Sequence, residues 1–333
     1  MKNILVAGGA GYIGSHTVKE LIARGYGAVV VDNLENGHRE AVDSAAAFYE
    51  ADLRDITAMD KIFNENEIDA VIDFAAYTVV AESVADPIKY YENNVYGMTR
   101  LLRAMQGHGV DKIVFSSTAS VYGIPKRVPI VETDGVNPIN PYGETKLAVE
   151  RLLKWADGAY GIRHVALRYF NVAGAHASGS IGEDHDPETH LIPIAILTAL
   201  GRYECLDVYG DDYNTKDGTC IRDYVHVTDL AAAHVLAADY LSGGGSSRAY
   251  NIGSGTGFSN REIIDEAERV TGLKINRRIA PRRPGDPDNL IASPDRIMSE
   301  LGWRPERTNL KDIISSAFKW HKAHPDGYGD SGS

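Results

Sequence analysis

Residues 3–32 read NILVAGGAGYIGSHTVKELIARGYGAVVVD, and this stretch decides the fold. Asn3–Ala7 is a short apolar run that ends in glycine, the pattern of a buried strand. Ser15–Arg24 places Val18, Leu21 and Ile22 at helical spacing, and Ala28–Val31 is a second strand. Between the first strand and the helix lies Gly9-x-Gly11-x-x-Gly14, and Gly8 adds a second frame, Gly8-x-x-Gly11-x-x-Gly14. Glycines at this spacing let a tight turn bring backbone close to a pyrophosphate. The helix N-terminus behind the turn offers free N–H groups and a positive dipole end. Such a triplet is weak alone, but here its context is complete: a strand before, a helix after and an acid, Asp32, about 20 residues on. A carboxylate there accepts hydrogen bonds from the ribose hydroxyls of NAD and repels the extra phosphate of NADP, so NAD is the expected cofactor. A Walker loop is excluded, because no Lys-Ser/Thr pair closes the glycine run.

The same alternation continues outward. Ile56–Asn64 and Asn94–Gln106 read as helices, and Asp69–Ala75, Lys112–Phe115 and Val165–Tyr169 as strands. This predicts an α/β fold, a Rossmann-type doubly wound parallel sheet with helices on both faces. After Asn171 the pattern changes: glycine, acid and proline crowd GAHASGSIGEDHDPETHLIP at 174–193. Helices are still expected at Leu191–Gly201, Val227–Leu241, Asn260–Thr271 and Asn309–His321. The expected division is a dinucleotide-binding domain over 1–170 and a smaller, interleaved substrate-binding lobe over 171–333. The closing HPDGYGDSGS, 324–333, reads as a loose tail.

Composition narrows the partners. A formal net charge of −12 argues against nucleic acid and anionic membrane, both of which need a basic face. A 44% apolar content excludes a disordered chain. No run reaches the roughly 18 apolar residues of a membrane span, and the start of the chain lacks the long apolar region of a signal peptide. Cys205 and Cys220 are too few for a disulfide framework and too far apart for a paired zinc motif, which suits neutral thiols in a cytoplasmic protein. In GEDHDPETH, His185 and His190 are five apart with Pro187 between them and share no helical face, so no metal is expected.

Acid–base chemistry is carried by Pro141-Tyr142-Gly143-Glu144-Thr145-Lys146, which precedes an amphipathic helix at Leu147–Trp155. Four residues apart on a helix, Tyr142 and Lys146 lie on one face. A phenol with a pKa of about 10 is a poor base at neutral pH, and a neighbouring ammonium favours its phenolate. The pair is an acid–base unit. Upstream, VFSSTASVYG at 114–123 puts Ser116, Ser117 and Thr118 at the carboxyl edge of the sheet, where one of the three hydroxyls can share a substrate proton with Tyr142.

The ordered set GGAGYIGSH, DNLENG, FSSTASVYG, PYGETK, LRYFNVAGAH, DGTCIRDYVHV, YNIGSG and RRPGD spans nearly the whole chain and resembles the UDP-glucose 4-epimerase family of the extended short-chain dehydrogenase/reductases. The resemblance implies reversible, NAD-dependent inversion at carbon 4 of a UDP-hexose through a 4-keto sugar, and a homodimer. It makes Tyr142 the base, Lys146 a ligand of the nicotinamide ribose that tunes Tyr142, and Thr118 the occupant of a position where many members have Ser. Around NAD it places Gly8, Gly11, Tyr12, Ile13, Gly14, Asp32, Asn33, Leu34, Glu35, Asn36, Gly37, Asp52, Leu53, Phe74, Ala75, Ala76, Asn93, Lys146 and Phe170. Members often continue Phe-Ala with Gly-Leu-Lys; this chain has Ala76-Tyr77-Thr78 and lacks the Lys.

For the UDP-sugar the resemblance assigns Arg222 and Arg283 to the diphosphate. Asn171 goes to the sugar or diphosphate, Leu191 and Tyr209 to the uridine side and Asp286 to the uridine ribose. His190 stands where many members have Asn. Leu290 takes the position whose size gates the sugar C2 substituent; members that exclude acetamido sugars have Tyr there, so UDP-N-acetyl sugars are expected to enter as well. Two other functions compete. A nucleotide-sugar dehydratase needs an Asp-Glu pair just after the Ser/Thr segment, and Ala119-Ser120 stand there. A non-catalytic NAD sensor would have lost the Tyr142–Lys146 pair, which is present.

Overall fold

Six parallel strands from the first half of the chain and one from the second form the central sheet of the computed structural model, which describes residues 2–283 and 285–329. The strands are β1 (Asn3–Ala7), β2 (Gly27–Asp32), β3 (Ala47–Glu50), β4 (Ala70–Asp73), β5 (Lys112–Ser116) and β6 (Arg163–Tyr169). The spatial order is β3-β2-β1-β4-β5-β6, and the strand Arg248–Ile252 extends the sheet beyond β6. Parallel sheets are buried on both faces, which is why β1 and β2 read as unbroken apolar runs. Successive side chains alternate between two cores. Ile4 and Val6 face the helices Tyr12–Ala23 and Val227–Ser242, while Leu5 and Ala7 face Ile56–Glu65, Gly97–Gly107 and Pro141–Tyr160.

The Rossmann-type sheet expected from the sequence is therefore present, with differences at element ends. The first helix begins at Tyr12, three residues early, because the glycine turn feeds directly into it. The helix carrying the Tyr-Lys pair begins at Pro141, not Leu147. Proline suits its first position, and Asn140 Oδ1 accepts a hydrogen bond from Gly143 N at 2.8 Å as the N-cap. It ends where Gly161 turns left-handed at φ 72°. The expected Asn94–Gln106 helix is entered through a wider turn, Tyr91–Tyr96, and is α-helical from Gly97. Strand β3 was not anticipated, because AFYE is an edge strand without a buried apolar run.

Beyond Asn171 the chain passes back into the first lobe. Val227–Ser242 covers the sheet and Arg248–Ile252 joins it, so residues on both sides of the 170/171 boundary build one layer. The second lobe holds a mixed sheet of Asn171–Ala173, Ile221–His226, Gly257–Ser259 and Asn289–Leu290. A parallel pair, Leu206–Tyr209 with Arg277–Ala280, lies beside helices Leu191–Ala199, Asn260–Thr271 and Leu310–Ala323. The expected loose tail is corrected as far as it is described. Tyr328 packs on Trp320 and His38, its N–H donates to Asp184, and its hydroxyl meets Gly182. Residues 330–333 of that tail, and Pro284 of the RRPGD motif, lie outside the described residues.

Candidate active site

The strand order reverses between β1 and β4, and the carboxyl ends of these strands frame a crevice. Gly8 turns there with φ 74°, and a Cβ on it would sit 2.7 Å from Ala75 N. A Cβ on Gly14 would sit 2.1 Å from the Gly8 carbonyl oxygen, so the helix rests on the loop only because a side chain is missing. Gly11 caps the helix without a side-chain hydrogen bond, and the Tyr12–Ile13–Gly14 turn follows it. Asp32 Oδ2 accepts from Ala10 N and Oδ1 from Leu34 N, each at 2.9 Å. The acid thus ties the glycine loop to the turn after β2, where Leu34 adopts φ 58°. Burial pushes its pKa up and the two N–H donors pull it back.

The rest of the expected cofactor set lines the same edge. Asn33 Nδ2 donates to Asp52 at 3.3 Å, and Arg54 holds the Asp52 carboxyl below the usual carboxylate range. Glu35, Asn36 and Gly37 follow β2, with Gly37 against Ala10, and Leu53 follows β3. Phe74, Ala75 and Ala76 follow β4, Asn93 donates to Asn94 at 3.2 Å, and Phe170 lies beyond β6. Tyr77, one residue before Thr78 where the Lys is missing, donates to Glu35 at 2.6 Å and bridges the loops after β2 and β4. The Tyr12 hydroxyl donates to Gly174 O at 2.6 Å. A glycine turn, an uncapped helix start and one carboxylate at the end of β2 fit a dinucleotide.

The three hydroxyls left open by the sequence separate by their partners. Ser116 Oγ meets Tyr169 Oη, and Ser117 Oγ donates to Glu150 at 2.5 Å, inside a buried network with Arg168 and Tyr122. Thr118 Oγ1 only caps Ser120 N, at 3.2 Å, and lies beside the Tyr142 phenol. Tyr142 is buried, and burial raises its pKa while the Thr118 hydroxyl lowers it. The expected lowering by Lys146 is corrected: the ammonium is turned to Ser116 O at 2.8 Å, and burial has brought its own pKa down to about 8 against the pull of Asp73. Asp73 in turn is buried and pushed up to about 6. Neither Asp73 nor Tyr169 was singled out from the sequence. Both lie at the carboxyl ends of central strands, β4 and β6, which is the signal that marks them.

Farther out, Arg222 and Leu290 are register partners on neighbouring strands. Arg222 pairs with Asp286 Oδ1, and Tyr213 donates to Asp286 Oδ2 at 3.3 Å, so both oxygens of the expected ribose ligand are already engaged. The Arg283 guanidinium lies 4.1 Å from the Tyr209 ring centre, and Arg282 lies 4.0 Å from that of Tyr213. Asn171 Nδ2 donates to Asp223 O at 3.1 Å. Asp223, also missed, takes N–H groups from Ser254, Gly255 and Ala292 and so fixes the strand that carries Arg222. Leu290 packs against the apolar cluster that contains Tyr122 and Phe170. Leu191 opens its helix, but the His190 ring is turned to Glu183 and Glu188 instead of the crevice side chains. The segment 183–190 is a loop, so the helical-face argument that separated His185 from His190 fails there: the two rings are 5.2 Å apart.

The comparisons agree with this geometry. The family model described as "NAD dependent epimerase/dehydratase family" matches residues 4–253. A UDP-glucose 4-epimerase of Lacticaseibacillus casei is 56% identical over 327 residues, covering 98% of this chain and 99% of the relative. The crystal structure of UDP-glucose 4-epimerase from Brucella ovis, in complex with NAD, matches with a TM-score of 0.94 at 49% identity over 96% of this chain and 98% of that one. That of the Bifidobacterium longum enzyme, in complex with NAD+ and UDP, has a TM-score of 0.93 at 41% identity, over 98% and 100% of the two chains. The chain belongs to the NAD-dependent epimerase/dehydratase family and, within it, to the UDP-glucose 4-epimerases.

Proposed function

We propose that Tyr142, Thr118 and Lys146 carry out the reaction of this epimerase, the reversible NAD-dependent inversion of carbon 4 that interconverts UDP-glucose and UDP-galactose in galactose metabolism. The observation that carries the assignment is the pairing of a buried phenol, Tyr142, with Thr118, the one hydroxyl of 116–118 not committed to a side-chain partner. NAD, when bound, supplies a hydride acceptor and donor at carbon 4 and a positive charge beside the phenol. The glycine loop and Asp32 hold its adenosine and pyrophosphate, and Lys146 its nicotinamide ribose. Tyr142 takes the proton of the 4-hydroxyl and returns it, and Thr118 hydrogen-bonds the same oxygen. Burial keeps water away from the keto sugar. Arg222 and Arg283 grip the diphosphate, which leaves the hexose free to turn over between the two half-reactions. Asp286 and Tyr209 take the uridine side once Arg222 shifts its pairing to phosphate.

Tyr142→Phe tests this reading. It removes the proton acceptor and preserves the ring, so kcat falls by about 10²–10⁴-fold with NAD content unchanged. Near-normal turnover would overturn the role.

Acetamido sugars are a second substrate pair, favoured by Leu290 standing without a ring or hydroxyl against the cluster that contains Tyr122 and Phe170. A homodimer is favoured by Val84, Ile88 and Trp155, at least 63% exposed on packed helical segments. The two free cysteines fit the reducing cytoplasm, and among the described residues no helix is long and apolar enough to cross a membrane.

A further inference from the structure

The loop before helix Leu191–Ala199 carries a cluster that the chemistry at Tyr142 does not use. Glu183, His185, Glu188 and His190 each offer one ligand atom, and all four atoms lie within 4.8 Å of one another. His190 Nδ1 is 3.0 Å from Glu183 Oε1 and 2.8 Å from Glu188 Oε1. His185 Nδ1 is 3.3 Å from Glu183 Oε1 and 3.6 Å from Glu188 Oε2. A tetrahedral ion held at about 2.0–2.1 Å sets its nitrogen and oxygen ligands about 3.3–3.4 Å apart; the two histidine nitrogens lie 3.0 and 3.3 Å from the shared Glu183 Oε1, close to that edge, and Glu188 faces one histidine with each of its oxygens.

Two further observations favour an ion over ion pairs alone. Both carboxylates are nearly sealed from solvent, at 4% and 3% exposure, so two like charges are buried side by side. His185 Nδ1 is also sealed and makes no hydrogen bond, although it is aimed at both carboxylates. The cluster is braced from outside as metal ligands are. Trp320 Nε1 donates to Glu183 O at 3.1 Å, and Thr189 N and His190 N donate to Glu188 Oε1 at 2.7 and 2.8 Å.

We propose that these four side chains form a structural site for one divalent transition-metal ion of the zinc class. Two carboxylates and two neutral imidazoles balance a dication, and four protein ligands close the site. The ion pins the 183–190 loop beside Tyr12, whose ring meets His185 edge-on at 6.2 Å, and so fixes the second lobe against the helix that opens at the glycine loop.

The test uses untagged protein treated with EDTA, desalted, and titrated with Zn2+ while bound metal and Tm are followed. Co2+ is added to a parallel sample and its visible spectrum recorded. Wild type should bind one Zn2+ per chain with a rise in Tm, and Co2+ should give the intense visible band of tetrahedral coordination. The double variant His185→Ala/His190→Ala and the near-isosteric Glu188→Gln should bind Zn2+ at least about tenfold more weakly and lose the Tm rise. The proposal is overturned if wild type binds no Zn2+ above the variants, which would leave a cluster held by protons alone. A Co2+ spectrum of octahedral intensity would also overturn it, whether or not the double variant folds.

Discussion

The phenol proposed as the base, Tyr142, is buried, and burial makes loss of its proton harder. The hydroxyl of Thr118 acts the other way, so its removal has a direction. Thr118→Ala should lower kcat by about 10²-fold, and Thr118→Ser should restore it to within a few fold, because only the hydroxyl is needed. A Thr118→Ser variant as slow as Thr118→Ala would assign the methyl group the work. Lys146→Ala removes the proposed ligand of the nicotinamide ribose, and steady-state profiles should show lower activity with the acid limb unmoved, because the ammonium is turned to Ser116 O and does not hold down the Tyr142 pKa; an acid limb moved to higher pH would return to Lys146 the role of lowering that pKa. Leu290→Tyr should suppress turnover of UDP-N-acetylglucosamine and spare UDP-glucose, and a wild type inert toward the acetylated sugar at saturation would remove the gate. The Tyr-Lys spacing was legible because it needs only a helix. The choice among Ser116, Ser117 and Thr118 was not, because it depends on Tyr169 and Glu150, which reach the site from distant positions.

At the scale of elements, the glycine loop is legible because each glycine answers a backbone contact. Gly14→Ala would put a methyl group 2.1 Å from the Gly8 carbonyl oxygen, so the helix must move off the loop. The variant should lose about 1–3 kcal/mol of stability and most of its bound NAD, measured by chemical denaturation and by NAD released on unfolding. Full NAD occupancy would mean that the loop does not cradle the pyrophosphate. The helix starting at Pro141 was placed late because apolar periodicity begins only at Leu147, whereas the N-cap Asn140 and the proline define the true start. Edge strand β3 and the 183–190 loop escape such reading: one has no buried apolar run and the other no period at all. The loop's meaning lies in which side chains it brings together, and that is set by its packing against Trp320 and Tyr12.

For the whole molecule, three buried histidines, His16, His226 and His234, are held in their neutral form. Burial lowers His16 and His226 to about 3 and His234 to about 4. The unfolded value is about 6.5, so the stability gained from keeping them neutral is complete above that pH and is lost as the pH falls toward 4 and then 3. Between those limits the unfolded chain takes up as many as three extra protons, and the unfolding free energy should fall by up to about 4 kcal/mol per pH unit. Urea titrations from pH 7 to pH 4 measure this slope, and a flat profile would contradict it. The homodimer is checked by sedimentation equilibrium, where Trp155→Arg should shift the mass toward one chain. The central claim is that this fold holds its NAD and inverts carbon 4 without consuming it. Purified protein, with no nicotinamide added, is mixed with UDP-galactose and the nucleotide sugars are resolved over time. The account predicts many turnovers to a UDP-glucose/UDP-galactose equilibrium. No conversion, or conversion that stops after one equivalent as NADH accumulates, would contradict it.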